Sequence, residues 1–422
     1  MAGALELVAP TRMGAGFRRL LASSWTSNLG DGIALAAGPL LVAELTRNPV
    51  LISAAVLVQR LPWMLFGLYA GVLADRLERR RLVATVDSVR AAVIAALALT
   101  IVTDVVSIWV ALAALFVLGT LETFADIATG TLLPMVVDDA DLGVGNARIQ
   151  FGHQGINQLA GPPLGAAIFG LGMAVPFAAQ AVLVGFAGWA VGGIVVRRVP
   201  EPETHESSAA AIRAGAAWLW RHRPMRTLTL TIFAFNVTFG AAWGVLVLYA
   251  LERLHLSELG FGVWTATAAV GSLVGIAAYG NVDRRIGAAN IMRIGLFVET
   301  ATHLTLALTQ TPAVAFVTMF VFGVHTGMWG TTVHTVRQRQ VPLALQGRVG
   351  SVYLLAMQGG LVLGTPIGGL LASQWGLTAP YWFAFAGSAV ILVLIWPALT
   401  GITAGRVPVV TRGRRVSRRR PR

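Results

Sequence analysis

The chain has 422 residues, of which 56% are hydrophobic and only 12% charged, with a mean hydropathy of +0.71. A soluble globule carries about twice that charge fraction, so soluble-domain architectures are excluded. The net charge of +13 does not mark a nucleic-acid binder, because the arginines alternate strictly between loops, and the lack of cysteine excludes disulfides and thiolate chemistry.

After a polar segment at 1–16, six apolar runs follow at 17–43, 50–74, 83–103, 105–133, 149–171 and 173–196. Runs of this length cross a bilayer as helices. The first holds Asp31 within "NLGDGI", with Ser24, Ser27 and Asn28 on its helical face. A lone carboxylate at that depth is costly, so Asp31 is expected to face a cavity or a partner. Arg60, at similar depth in the second run, is the expected partner. Two readings of Asp31 stay open: a carboxylate that takes up a proton during a transport cycle, or a permanent pair with Arg60 or cap of a helix break at Gly30–Gly32. Between the second and third runs stands the charge knot "GVLADRLERRR" (71–81). Arg90 lies in the third run; Glu122 and Asp126, in the fourth, share a face. Arg90 is expected to pair with Asp126, leaving Glu122 deeper, less compensated and a second candidate for proton uptake. The fifth run contains "GPPLG" (161–165).

A Pro/Glu-rich stretch then leads into a short amphipathic helix with Trp218 and Trp220, so 197–226 reads as a linker ending in an interfacial helix. Six further runs occupy 227–250, 257–279, 289–309, 311–336, 348–372 and 379–400, followed by a basic tail at 401–422. Phe235, Asn236, Phe239, Trp243 and Trp329 of this part, with Asn28 of the first run, are expected to line a cavity suited to a bulky amphipathic compound. Glu299 and His303 are four residues apart in the ninth run and His325 lies in the tenth, three further candidates for a proton relay. With no HExxH and no close ligand cluster, no metal is expected; with no Walker A sequence, ATP is not the driver, and no cofactor is expected.

Arginines gather in alternate loops: Arg12, Arg18 and Arg19; Arg76 and Arg79 to Arg81; Arg197 to Arg226; Arg284, Arg285 and Arg293; Arg337, Arg339 and Arg348; then the tail. The opposite loops hold little beyond Arg47 and Arg253, which predicts cytoplasmic termini. Asp75-Arg76 recurs as Asp283-Arg284 and Pro134 as Pro342, both 208 residues on, and "GPPLG" recurs as "GTPIG" (364–368) at an offset of 203. Three echoes at equivalent places indicate an internal duplication, a device of secondary transporters. The expected fold is an all-α polytopic membrane protein of twelve transmembrane helices in two six-helix halves, 17–196 and 227–400.

The same residues resemble the major facilitator superfamily. Gly71, Leu73, Asp75, Arg76, Arg79 and Arg80 match its motif G-x-L-a-D-R-x-x-R-R residue by residue, and the resemblance covers nearly all of 17–400. The stretches 28–62 and 133–149 are similar to the branch of macrolide-type efflux proteins and the enterobactin exporter, and Gly161, Pro162 and Gly165 resemble the core of the antiporter motif of helix five. The resemblance implies a cytoplasmic gate at Gly71, Asp75, Arg76, Arg79 and Arg80. Asp283 and Arg284 form its weaker echo, since Gly287 and Ala288 replace the arginine pair. It further implies a permease of the bacterial inner membrane, not an enzyme, that exports a hydrophobic or amphipathic molecule (drug, macrolide-like or siderophore-like) by proton antiport. Protons and membrane lipids are its expected partners, and two halves in one chain suffice for a monomer. Two alternatives stand: a lipid or lysophospholipid flipping protein or importer on the same fold, and a non-transporting membrane sensor or assembly partner.

Overall fold

The computed structural model describes residues 10–195, 208–399 and 401, so the expectations for most of 1–16, the start of the linker and nearly all of the tail fall outside it. The helices are α1 Gly14–Leu45, α2 Pro49–Arg76, α3 Arg79–Val102, α4 Ile108–Gly130, α5 Leu142–Phe151, α6 Gly161–Phe169 and α7 Val175–Gly192, then the linker helix α8 Ser208–Arg221, and α9 Arg223–Trp243, α10 Glu258–Leu308, α11 Pro312–Gln340, α12 Gln346–Trp375 and α13 Ala379–Ile395. Polar residues start several of them. Asn48 accepts from the Val50 amide at 2.9 Å, with Pro49 at the first helical position, and Ser257 accepts from the Gly260 amide at 3.1 Å.

Among the described residues nine helices are long and apolar enough to cross a membrane, or ten when Arg223–Trp243 and Leu246–Arg253, bent by 47°, count as one span. The structure therefore departs from a plain set of twelve, for two physical reasons. The run at 149–171 is cut into pieces: α5 passes through a π-helical stretch, Gly152–Ala160, into α6. The runs at 257–279 and 289–309 are merged into the 51 residues of α10, broken only at Gly287 (φ 76°, ψ 156°). That backbone region is open essentially to glycine alone, so Gly287 cannot be replaced by an arginine matching Arg79.

The duplicated glycine motifs build the same crossing twice. A Cβ on Gly161 or Gly165 of α6 would collide with the backbone of Gly32 or Ile33 in α1. One on Gly364 or Gly368 of α12 would collide with Val237 or Ala241 in α9. Only small residues let helices in lipid approach this closely.

Arginines mark one end of the bundle, among them Arg12, Arg79, Arg223, Arg284, Arg337 and Arg348. At the other, arginine-poor end, one buried apolar cluster spans both halves and includes Leu40, Ile52, Phe169, Tyr249, Trp264 and Tyr381. At the arginine-rich end the buried side chains form two separate clusters, one around Phe17, Leu132 and Ile194, the other around Met225, Met292 and Val349. Two backbone seams join the halves at the arginine-poor end: a Cβ on Gly262 would stand 2.5 Å from the Pro162 carbonyl oxygen, and Gly369 packs on Ser53. Arg47 and Glu252 meet across the same junction at 4.0 Å. The halves thus touch at one end and part toward the other, with a cavity between them. Helix α8 lies against α12 and buries Leu219, while Trp220 stays exposed beside Arg226 at 5.7 Å.

Candidate functional site: a two-part cavity between the halves

The space between the halves has two adjoining parts of about 400 and 390 Å³, which share Leu35, Pro39, Gln59, Arg60, Leu115 and His153. The part nearer the arginine-poor end is apolar. Phe239 and Trp243 of α9 stack at 4.1 Å, and Phe322 of α11 packs on Trp243 at 5.1 Å. The other part is ionic, and all its charged residues come from the first half: Asp31, Arg60, Asp87, Arg90, Glu122 and Asp126.

At its centre Arg90, almost fully buried in α3, donates through Nη2 to Asp31 Oδ1 at 2.7 Å and through Nη1 to Asp87 Oδ1 at 3.0 Å. Asp31 also accepts from Gln180 Nε2 at 3.4 Å and from Ser27 Oγ at 3.3 Å. A guanidinium out of water is tolerable only when paired and hydrogen-bonded, which these carboxylates achieve. Glu122 and Asp126 of α4 and Arg60 of α2 line the same space without an ion pair within 4 Å. Four carboxylates against two guanidiniums leave this part formally −2 when every group is ionised. With every group ionised, such a site would favour cations over anions.

The positions differ from the sequence expectations in informative ways. Arg90, not Arg60, pairs with Asp31, and Arg90 turns to Asp87 rather than Asp126. Asn28, Phe239 and Trp243 line the cavity. Phe235 is buried in the core of the second half, and Trp329 packs beside that core. Asn236 spends its amide on the Ile232 carbonyl at 2.7 Å and does not line either part. In the second half Glu299 meets His325 of the next helix at 3.4 Å rather than His303 on its own. His303 is fully buried with both ring nitrogens unpaired, 6.3 Å edge-on from Trp243. None of these three lines the cavity. Asp87 and Gln180 escaped sequence reasoning, although Asp87 stands one turn from Arg90.

At the arginine-rich end, Arg80 pairs with Glu78 at 2.7 Å and donates to the Ile194 carbonyl at 2.9 Å, while Arg79 lies 3.7 Å from Met135 Sδ, all within the first half. Gly71 and the side chains of Asp75 and Arg76 lie outside what the structure describes of the packing here. Arg284 donates to Asn281, and Asp283 makes no ion pair among the described residues. Gly161, Pro162 and Gly165 sit where α6 meets both α1 and, through Gly262, α10.

Residues 6–410, nearly the whole chain, match the family described as transmembrane secretion effector. The chain belongs to that family. The chain is therefore a multi-pass membrane protein of the major facilitator fold, and its activity is transport rather than catalysis. It is 22% identical over 377 residues to macrolide efflux protein A of Streptococcus pyogenes, a match spanning 84% of this chain and 88% of that protein. A bacterial homologue of the iron transporter ferroportin superposes with a TM-score of 0.74 in its inward-facing state, at 16% identity over 92% of this chain and 99% of the other. The outward-facing state of a protein of the same description gives 0.59 at the same identity and coverage. These likenesses are to the fold.

Proposed function

We propose that this protein is a secondary exporter of the bacterial inner membrane that moves an amphipathic, positively charged small molecule outward in exchange for protons. The observation that carries the proposal is the two-part cavity: a pocket whose stacked aromatic rings come from the second half, beside an ionic chamber with two more carboxylates than guanidiniums. Cargo with a flat apolar body would stack on Phe239, Trp243 and Phe322, while its cationic group reaches Asp31, Glu122 or Asp126. A siderophore-like anion would meet net repulsion there.

The arrangement is twelve spans in two halves, 17–196 and 227–400, joined by the linker 197–226 and working as a monomer. The bent pair Arg223–Trp243 with Leu246–Arg253, the broken span (142–169) and the bend at Gly287 would account for the three spans beyond the nine plain helices. The arginine-rich end, with both termini, faces the cytoplasm by the positive-inside rule, so the open end of the cavity faces inward. The higher TM-score to the inward-facing ferroportin homologue supports this. Asp75, Arg76, Arg79 and Arg80 at Gly71–Arg81, with Asp283 and Arg284, would close that end when the halves rock, and the bonds of Arg80 to Glu78 and to the Ile194 carbonyl suit the open state.

The chemistry is a competition. Protons entering from outside neutralise the chamber carboxylates, remove the attraction for a cation and release it outward; deprotonation toward the cytoplasm restores the charge. A ligand shifts a two-state equilibrium only by its differential affinity, and here proton and cargo compete for the same carboxylates. Proteoliposomes with an internal pH dye, given ethidium, test this. Ethidium-driven proton movement lost in Asp31→Asn or Glu122→Gln is expected. Ethidium transport without proton flux, unchanged in both variants, would overturn the coupling.

A further inference from the structure

The mechanism above leaves Asp87 without a role, yet Asp87 is among the most deeply buried charged residues of the molecule, with a side chain 4% exposed. Arg90 bonds both it and Asp31, and Asp31, 18% exposed, is the member of the trio that the cavity reaches most openly. Asp87 and Arg90 are one turn apart on α3, so the helix itself sets their geometry. The bond to Asp31 instead spans two helices, α3 and α1, and depends on where the guanidinium points.

From this geometry we infer that Asp87 is a positioning residue for the proton exchange at Asp31, holding Arg90 in place and halving its claim on the Asp31 carboxylate. The inference rests on the proposed antiport. An arginine alone beside Asp31 would keep that carboxylate ionised, because an opposite charge nearby favours the charged form. A carboxylate so held does not exchange protons. With Asp87 bonded to the same guanidinium, the Asp87–Arg90 couple is neutral as a unit, and it presents Asp31 with a hydrogen-bond donor rather than an uncompensated cation. Without Asp87, Nη1 of Arg90 loses its partner while Nη2 keeps its bond to Asp31, which then faces the full charge of the guanidinium.

The groups that face Asp31 come from every helix around the chamber: Arg90 and Asp87 on α3, Glu122 and Asp126 on α4, Arg60 on α2, Gln180 on α7, and His153 on the π-helical stretch. None of the others bonds to Arg90, so none replaces Asp87.

The test reads Asp31 directly rather than through transport. In purified protein returned to lipid, infrared difference spectra over a pH series follow the carboxylic-acid carbonyl band that Asp31→Asn removes. In Asp87→Asn, which keeps size and polarity, the midpoint of that band is expected to move by about one pH unit toward acid, since Asp31 then faces an uncompensated guanidinium. Asp87→Glu restores the wild-type midpoint if it regains the bond. A role in folding alone would lower thermal stability and leave the midpoint in place, and an unmoved midpoint in well-folded Asp87→Asn overturns the inference. Asp87→Ser, made alongside, serves the same test should Asp87→Asn not yield monodisperse protein. Ethidium-driven proton flux in the wild type is measured separately. Its absence would sink the antiport reading, and the midpoints would still decide what Asp87 does.

Discussion

The seam at Gly262 makes a quantitative prediction about how the halves alternate. In the present state a Cβ at this position would stand 2.5 Å from the Pro162 carbonyl oxygen and 2.6 Å from the Ala166 Cβ, both across the junction at the arginine-poor end. One obstacle is backbone, so the added methyl cannot be absorbed by a rotamer change. Overpacking of this kind costs about 1–3 kcal/mol, and it is charged only to the state in which the two halves touch there. Gly262→Ala should therefore shift the balance toward the state open at the arginine-poor end by about 5- to 150-fold. The chain has no cysteine of its own, so spin labels at Val105→Cys and Leu308→Cys, both exposed at that end and one in each half, report the separation by double electron–electron resonance. A gain in the longer distance is expected in Gly262→Ala. Gly280→Ala, whose Cβ meets nothing within 4 Å, is the control. An unchanged distribution in Gly262→Ala, or an equal shift in Gly280→Ala, would refute the reasoning.

Arg90→Leu leaves Asp31 and Asp87 buried without their shared countercharge, a loss of about 3–5 kcal/mol. The yield of monodisperse protein should collapse, and the double variant with Asp87→Asn should recover part of it. His303→Phe replaces a fully buried ring with two unpaired nitrogens by an apolar one and should raise the unfolding temperature, because an unsatisfied buried polar group costs about 1–3 kcal/mol. An unchanged or lower temperature would show that His303 has a partner in the membrane. Trp243→Ala should weaken ethidium binding about tenfold through lost stacking, whereas Trp329→Ala, outside the cavity, should leave it unchanged; fluorescence titration separates the two. Gly287→Ala forces a side chain into a backbone region that disfavours it, at about 1–3 kcal/mol, and should lower thermal stability with no change in ethidium affinity.

Much of the fold was legible because lipid imposes a simple grammar: apolar runs of spanning length, arginines on one side, and glycine motifs repeated at a fixed offset. The site was less legible, and the errors share one cause. Counting residues from a loop gives the depth of a side chain, which is how Asp31 and Arg60 came to be matched. It does not give the rotation of each helix about its axis, and rotation decides that Arg90 rather than Arg60 reaches Asp31. Phe235 and Trp329 went astray for the same reason. A span that is apolar all round carries no stripe to show which face looks inward. The Asp87–Arg90 spacing was the one local signal in the sequence, since it needs no knowledge of a second helix. The cut at Gly152–Ala160 and the merging at Gly287 depend on backbone geometry that hydropathy does not encode.

The charges and the stacked aromatic rings that line the cavity come from different halves of the gene. All charged residues that line it come from the first half, and the stacked aromatics Phe239, Trp243 and Phe322 come from the second. Under the proposed mechanism, the surface that stacks on the cargo's apolar body is therefore inherited apart from the charges that exchange protons and hold its cationic group. Substitutions in α9 and α11 can retune what is carried while the proton machinery in α1, α3 and α4 stays untouched. A single recombination in the linker would pair an existing motor with a new appetite.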